Sequence, residues 1–187
     1  MTKTTYIISG YARSGTTMMI EAGEAGGLSA FYADSGPRWE NREVPDELLE
    51  REDFIQLPEL EGKLVKVFYT NLPKKFPTDR DWKICFMLRD PSEIRASLAK
   101  FKRASTLIEA GWYLDVMIEA YNRARERLGE ENVALLTYRN VVKNPIEAFS
   151  KLRIWHKWPI DIQKAAAVVD PELYHCRKEN KEESIND

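Results

Sequence analysis

The loop after the first apolar segment has the composition of an anion-binding site. Residues 6–9 predict a short buried strand, and residues 10–17 follow it with the sequence GYARSGTT. A helix is predicted from Thr16 to about Gly26, where a pair of glycines is typical of a helix end. Backbone N–H groups and the positive end of the helix dipole meet at such a turn. The loop therefore predicts a site for phosphate or sulfate.

This loop differs from an ATP-binding P-loop at one position. Thr16 stands where a lysine would reach the β- and γ-phosphates of ATP. Arg13 instead places a cation two residues before Gly15, and its planar guanidinium can bind two oxygens of a phosphate or sulfate at once. Ser14, Thr16 and Thr17 add hydroxyl donors. The alternative interpretation is a polar turn whose hydroxyls only cap the helix.

A second basic segment lies at the end of a later strand. Residues 83–88 predict a buried strand, and Arg89 follows it at the edge of the sheet where ligands of open α/β sheets bind. Asp90 and Glu93, on either side of Pro91, form a capping-box pattern, which predicts a helix from Pro91 to about Lys102. Ser97 lies two turns into that helix. Taken alone, an arginine beside an aspartate is more typical of an ion pair at a helix start.

The remaining elements predict a parallel sheet with helices on both faces. Apolar runs at 64–69 and 133–137 add two buried strands, and helices are predicted at 106–128 and 144–155. The core-facing positions of these helices are Leu107, Ala110, Leu114, Met117, Tyr121, Ala124 and Leu128 in the first, and Ile146, Phe149, Leu152 and Ile154 in the second. Strands alternating with helices predict an α/β fold, a three-layer, P-loop-like domain with a parallel sheet of four or five strands.

Composition predicts one domain over residues 1–187. The 187 residues are 43% apolar and 31% charged, and their net charge of −2 disfavours a dedicated nucleic-acid binder. Residues 32–62 carry three prolines and an excess of acidic residues, and are interpreted as a surface excursion, whereas the charged residues 177–187 predict a frayed tail. Neither a membrane span nor a signal-peptide pattern is found, and two cysteines suit neither a disulfide framework nor zinc. A cytoplasmic protein is expected.

Three segments together resemble the sulfotransferases that use 3′-phosphoadenosine 5′-phosphosulfate (PAPS). Residues 11–17 resemble the loop that holds the 5′-phosphosulfate, and residues 89–97, with an Arg-x7-Ser spacing, resemble the segment that holds the 3′-phosphate. Residues 136–145 are similar to the family's strand, tyrosine and proline stretch, whose tyrosine lies near the adenine. The order of the three segments and their approximate separations match over roughly residues 5–155. The sequence of residues 18–28 resembles small bacterial or phage-type members more than animal cytosolic ones.

The resemblance implies transfer of a sulfuryl group from PAPS, by in-line displacement and without a metal ion, to a hydroxyl or amine of a small-molecule or conjugate acceptor. Arg13 would contact the phosphosulfate bridge and stabilise the charge that develops as the S–O bond breaks. The implied cofactor-binding residues are Arg13, Ser14, Gly15, Thr16, Thr17 and Met18 at the 5′ end, Arg89 and Ser97 at the 3′-phosphate, and Tyr138 at the adenine. The resemblance implies no nucleic-acid or membrane partner, and the oligomeric state stays open.

The general base does not follow from the resemblance. Animal cytosolic members carry a catalytic histidine in a Lys-Thr-His-Leu-Pro segment, and residues 69–73 are similar to it but have Asn71, which cannot act as a base. His156 and His175 lie late in the chain, and each is more typical of a packed or solvated histidine. The base therefore has to come from another element, or the reaction needs none.

Carboxylates of the excursion are the remaining candidates. The excursion at 32–62 would fold over the acceptor site, and Glu40 is the first choice as general base, with Asp34 behind it. Glu40 follows Trp39, and partial desolvation beside an aromatic ring can raise a carboxylate pKa toward neutrality. The alternative interpretation is that Glu40 is only one of several solvated acidic residues in this segment. Lys66, on the strand before Asn71, is predicted as a cation near the transferred sulfate.

Two other functions stay open at this point. A small P-loop nucleotide kinase would share the architecture, but it needs a lysine where Thr16 stands and ligands for magnesium. A non-catalytic domain that binds 3′-phosphoadenosine 5′-phosphate (PAP) or another nucleotide would explain the missing histidine. Residues 31–61 would line the acceptor pocket. No known segment relates their sequence to a particular acceptor, so the sequence does not identify the acceptor.

Overall fold

The central element of the fold is a five-stranded parallel sheet. The computed structural model describes residues 4–31, 58–72, 76, 81–100 and 110–173. The strands are β1 (Thr5–Gly10), β2 (Ser29–Ala30), β3 (Lys63–Phe68), β4 (Trp82–Leu88) and β5 (Val133–Thr137), and their order in the sheet is β2-β3-β1-β4-β5. All six residues of β1 are buried, because β1 lies between β3 and β4 and has helices on both faces.

Six α-helices cover the sheet in the described part of the chain. They are α1 (Thr16–Ala25), α2 (Pro91–Lys100), α3 (Ala110–Leu128), α4 (Tyr138–Lys143), α5 (Pro145–Ile154) and α6 (Ile162–Ala167). Short 3₁₀ turns occupy Pro58–Leu60, Tyr69–Asn71, Glu130–Asn132 and Pro171–Leu173. No helix of the described residues is long and apolar enough to cross a membrane.

Alternate residues of the strands pack into two separate cores, one on each face of the sheet. Ile8, Leu64 and Met87 pack on one face against α1, α4, α5 and α6, with Trp158 fully buried among them. Ile7, Val67 and Phe86 pack on the other face against α2 and α3. The two cores confirm the predicted α/β fold, with a parallel sheet between two layers of helices.

The helix starts near the site follow local rules. Helix α1 begins at Thr16 and ends before Gly26, as predicted, and its N-cap is Gly15 with a left-handed φ of 97°. Helix α2 begins at Pro91, and the Asp90 carboxylate accepts from the backbone N–H of Ser92 at 2.8 Å. The Glu93 carboxylate accepts from the Arg89 guanidinium, so the second half of the predicted capping box is used in an ion pair.

Three residues that were predicted to face the core are exposed, although most of the predicted face of α3 is confirmed. Met117 and Ala124 are buried, and Tyr121 and Leu128 pack against the same core. In α3 the predicted core residue Leu114 is 38% exposed, whereas Tyr113, one position earlier, is fully buried. The ring of Tyr113 packs edge-on against Tyr11 of the first loop. In α5, Ile146 and Ile154 are exposed, and the buried face consists of Ala148, Phe149 and Leu152, which face the core beside α4 and α6.

Some predictions fall on residues that the structure does not describe. Residues 32–57 of the predicted excursion, the helix start at Thr106 and the tail 177–187 lie outside the described residues. The prediction of one domain therefore stays a prediction. Strand β2 and helices α4 and α6 were not predicted, since a two-residue strand and six-residue helices are too short to produce a periodic pattern.

Candidate functional site

The sheet register brings four chain segments to one edge. Gly10 of β1 lies opposite Phe68 of β3 and Met87 of β4, and Leu88 of β4 lies opposite Thr137 of β5. All these strands are parallel, so their carboxyl ends meet at the same edge. The loop after β1, the turn Tyr69–Asn71, Arg89 and Tyr138 therefore emerge side by side.

The loop after β1 is a tight turn that leaves little room for side chains. A Cβ added to Gly10 would lie 2.6 Å from Oγ of Ser14 and 2.8 Å from the Met87 carbonyl oxygen, so only glycine fits there. Ser14 is buried and donates its hydroxyl to the Tyr11 carbonyl at 2.7 Å. Because the N-cap of α1 is a glycine, no N-cap side chain covers the start of the helix.

Arg13 connects the loop to α2. Its backbone is left-handed, with a φ of 67°, which is uncommon for a residue other than glycine and is typical of functional sites. Its Nε donates to Oγ of Ser97 at 3.0 Å, and its carbonyl oxygen accepts from Nη1 of Arg89, also at 3.0 Å. Two predicted anion-binding segments separated by more than 70 residues thus contact each other directly.

Arg89 is held from several directions. Its Nε forms an ion pair with Glu93 at 3.0 Å, and the exposed fractions of the two side chains are only 8% and 6%. Its guanidinium carbon lies 4.1 Å from the centre of the Tyr138 ring, in cation–π geometry. Its backbone N–H donates to the hydroxyl of Tyr113 at 3.3 Å. The ion pair and the ring contact hold the guanidinium at the sheet edge.

Lys66 reaches the start of α1 from β3. Its ammonium donates to the Thr17 hydroxyl at 3.2 Å, and the residue is 8% exposed. Thr16 beside it is buried, while Met18 is partly buried against the core on the α1 face. The Lys66 ammonium thus lies beside Thr17, the residue that follows Thr16, which stands at the P-loop lysine position.

Three tyrosines form a cluster that the sequence analysis missed. The ring of Tyr11 stacks on Tyr69 with centres 6.0 Å apart and meets Tyr113 edge-on at 5.3 Å. Burial raises the pKa of Tyr113 to about 12, and burial followed by the neighbouring Tyr11 raises that of Tyr69. Both groups are neutral phenols at pH 7. The three tyrosines lie after β1, after β3 and on α3, so they form no linear motif in the sequence. The fold alone brings them together.

The structure describes only some of the residues that were considered as the general base. Glu40 and Asp34 lie outside the described residues. Asn71 ends the turn after β3, so its backbone lies at the same sheet edge as the loop. His156 is elsewhere, since its Nδ1 lies 3.2 Å from the carbonyl oxygen of Glu131, in the turn that precedes β5 at the opposite edge. Among the described residues, no group of three or more His, Cys, Asp and Glu side chains could hold a metal ion.

Comparison with protein-family models and with curated proteins finds no match. Solved structures are similar. Mouse sulfotransferase SULT7A1 complexed with PAP has a TM-score of 0.56 and 16% identity, over 88% of this chain and 62% of the mouse chain. Retinol dehydratase, in complex with androsterone and inactive cofactor PAP, has a TM-score of 0.49 and 16% identity, over 90% and 63% of the two chains. A sulfotransferase from Alicyclobacillus acidocaldarius has a TM-score of 0.45 and 15% identity, over 84% and 82%.

The likeness to the mouse enzyme concerns the fold. At 16% identity it extends over most of this chain, which spans less than two thirds of the mouse protein. The five parallel strands and the helices on both faces agree with the sheet of four or five strands that the alternation of strands and helices predicted. The chain therefore has the α/β fold of the sulfotransferases.

Proposed function

We propose that this chain is a PAPS-dependent sulfotransferase that acts on a hydroxyl or amine of a small-molecule or conjugate acceptor. One observation carries the proposal. Arg13 of the first loop donates to Ser97 of α2, and Arg89 donates to the carbonyl oxygen of Arg13, both at 3.0 Å. A ligand with anionic groups at two ends can contact both segments at once, as a nucleotide with 5′ and 3′ phosphates requires.

The residues present fit such a ligand. At Gly10 and Gly15 the absence of a side chain brings the backbone of the loop close to its neighbours, and the N-terminus of α1 favours negative charge. Thr16 and Thr17 add hydroxyls to that end. Arg89, held in place by Glu93, supplies a fixed cation for the 3′-phosphate. When bound, PAPS supplies the sulfuryl group, and PAP is the product that leaves.

The chain's own contribution to the reaction is positioning and positive charge. Sulfuryl transfer needs little covalent chemistry from the protein, so in-line alignment and donors aimed at the developing charge should dominate the rate. Arg13 and Lys66 are cations on the loop side of the site, and we propose that they stabilise the leaving phosphate and the transferred group without a metal ion. Glu40 is proposed to accept the proton of the acceptor. A cytoplasmic location and a bacterial or phage origin stay predictions.

A nucleotide kinase is the second candidate, and one contact favours keeping it. Lys66 donates to Thr17 at 3.2 Å, so β3 delivers a cation to the helix start although the loop itself has Thr16 in the lysine position. Such a cation could serve the phosphates of ATP as well as those of PAPS. The candidates differ at the other end of the ligand, since ATP has no 3′-phosphate for Arg89 and Ser97.

The decisive experiment compares three ligands by thermal unfolding of the wild-type chain. We expect PAP to raise the unfolding free energy by about 2.7 kcal/mol at roughly 100 times its dissociation constant, and ATP with Mg²⁺ or AMP to act only at much higher concentrations. Equal stabilisation by ATP with Mg²⁺ would favour the kinase. Stabilisation by PAP without any release of PAP from PAPS, across hydroxyl and amine acceptors, would favour a non-catalytic binding domain.

A further inference from the structure

One aromatic ring touches both halves of the candidate site. Tyr138 is buried at the start of α4. The Arg89 guanidinium lies over its face, with the guanidinium carbon 4.1 Å from the ring centre. Its edge lies against the loop, because a Cβ added to Gly15 would overlap Cδ2 of the ring and lie 3.0 Å from Cε2. The ring therefore lies between Gly15 of the loop and the Arg89 guanidinium, beside the direct hydrogen bond from Arg89 to the Arg13 carbonyl oxygen.

The backbone fixes where this ring stands. Leu88 and Thr137 are paired in the parallel register of β4 and β5, so Arg89 and Tyr138 are the residues that directly follow a paired position. Thr137 then caps α4, since its hydroxyl accepts from the backbone N–H of Asn140 at 3.3 Å. The sheet and the helix cap together hold Tyr138 beside Arg89. A phenol ring has few rotatable bonds, so it keeps a set thickness between its neighbours.

We propose that Tyr138 is a positioning residue that sets the separation between the 5′-phosphate loop and the 3′-phosphate arginine. The inference rests on the proposed function and goes beyond the role implied by the resemblance, in which this tyrosine only borders the adenine. The ring acts through Arg89 and Gly15. It thereby selects nucleotides that carry phosphates at both the 3′ and 5′ positions over 5′-monophosphates.

The test measures dissociation constants of PAP and AMP by titration calorimetry for wild type, Tyr138→Leu and Tyr138→Phe. A positioning role predicts that Tyr138→Leu lowers the preference for PAP over AMP about tenfold, because a cation–π contact in a partly desolvated site is lost. Tyr138→Phe retains the ring and most of the preference. In an Arg89→Ala background, Tyr138→Leu should change the preference little, since the residue it positions is gone.

Tyr6→Leu is the matched control. Tyr6 is a buried tyrosine of the same core, but it packs on Trp158 with ring centres 5.1 Å apart and lies at the other end of β1. The Tyr6→Leu substitution should lower the free energy of unfolding without changing the preference for PAP over AMP. Where Tyr138→Leu fails to fold, Tyr138→Met carries the same test, because its flexible side chain fills the space without a ring face.

Two results overturn the proposal, and they can be told apart. If wild type binds PAP and Tyr138→Leu weakens PAP and AMP by the same factor, the ring contacts the adenine or serves folding alone, and the proposed function stands. If wild type does not bind PAP, the proposed function fails and the positioning role fails with it.

Discussion

Arg89 combines a structural contact and a proposed ligand contact in one side chain. Its ion pair with Glu93 is almost completely buried, and its guanidinium also reaches the loop carbonyl of Arg13. We expect Arg89→Ala to weaken PAP about 10- to 100-fold more than AMP, since a charge-assisted hydrogen bond contributes about 1.5–3 kcal/mol. Calorimetric titration of both nucleotides measures this difference.

The same substitution also lowers stability, because Glu93 loses its buried ion pair. The ratio of the two affinities separates this effect from ligand binding, since a general loss of stability changes both alike. Arg123→Ala is the matched control, because Arg123 lies on α3 and its ion pair with Glu119 is exposed to solvent. Equal losses of PAP and AMP affinity would assign Arg89 a purely structural role.

A second prediction at this scale concerns the base. Glu40 lies outside the described residues, so its assignment stays a prediction from the sequence. If it accepts the acceptor proton, Glu40→Gln should lower turnover by roughly 10²-fold and leave PAP affinity nearly unchanged. Steady-state rates with PAPS and a responsive acceptor measure this, and Asp34→Asn is tested beside it. A Glu40→Gln variant with wild-type turnover would leave Asp34, or direct loss of the proton to water, as the explanation.

At the scale of elements, the junction of β1 and α1 depends on Gly15. Its φ of 97° disfavours any other residue, and a Cβ would also overlap the Tyr138 ring. Gly27 offers a matched control, since its φ is 101° but no atom lies within 4 Å of an added Cβ. Both Gly→Ala variants carry the backbone strain, and only Gly15→Ala adds the steric overlap. Gly15→Ala should cost about 1–3 kcal/mol more in urea unfolding than Gly27→Ala, and equal costs would mean that the ring moves away freely.

The sequence predicted these elements better than it predicted their faces. Strands β1, β3, β4 and β5 were predicted from their apolar runs, α1 from the glycine pair at its end, and α2 from its capping-box pattern. In α3 the buried residues Met117 and Ala124 were predicted, but Leu114 was assigned to the core in place of its neighbour Tyr113, because both fit an apolar stripe. Tyr113 is buried, and its ring contacts Tyr11 of the first loop. That contact joins residues about 100 positions apart and leaves no local signal.

The same reason limits prediction of the site. The loop and the Arg-x7-Ser segment are linear motifs, so Arg13, Arg89 and Ser97 could be predicted as site residues from the sequence alone. Their mutual contacts follow from the parallel register, and so does the contact of Lys66 with Thr17. Whether these residues bind PAPS stays a prediction that the ligand comparison tests.

At the scale of the whole molecule, His156 predicts how stability depends on pH. It lies at the sheet edge opposite the candidate site, beside the carbonyl oxygen of Glu131. Burial lowers its pKa below the ordinary value of 6.5. The hydrogen bond to Glu131 opposes this shift in part, and the nearby charges of Lys83 and Glu130 lower and raise the pKa by smaller amounts. The unfolded chain therefore binds a proton at His156 more readily than the folded chain does.

Because protonation favours the unfolded state, the contribution of His156 to stability is present above pH 6.5 and is lost as the pH falls below that value. We expect His156→Gln to be less stable than wild type at pH 8 and to lose less stability between pH 7 and pH 5. Urea unfolding at several pH values measures both slopes. Since His156 lies away from the loop and from Arg89, PAP affinity at pH 8 should be unchanged in this variant. Parallel pH profiles for the two proteins would show that His156 is protonated equally in the folded and unfolded states.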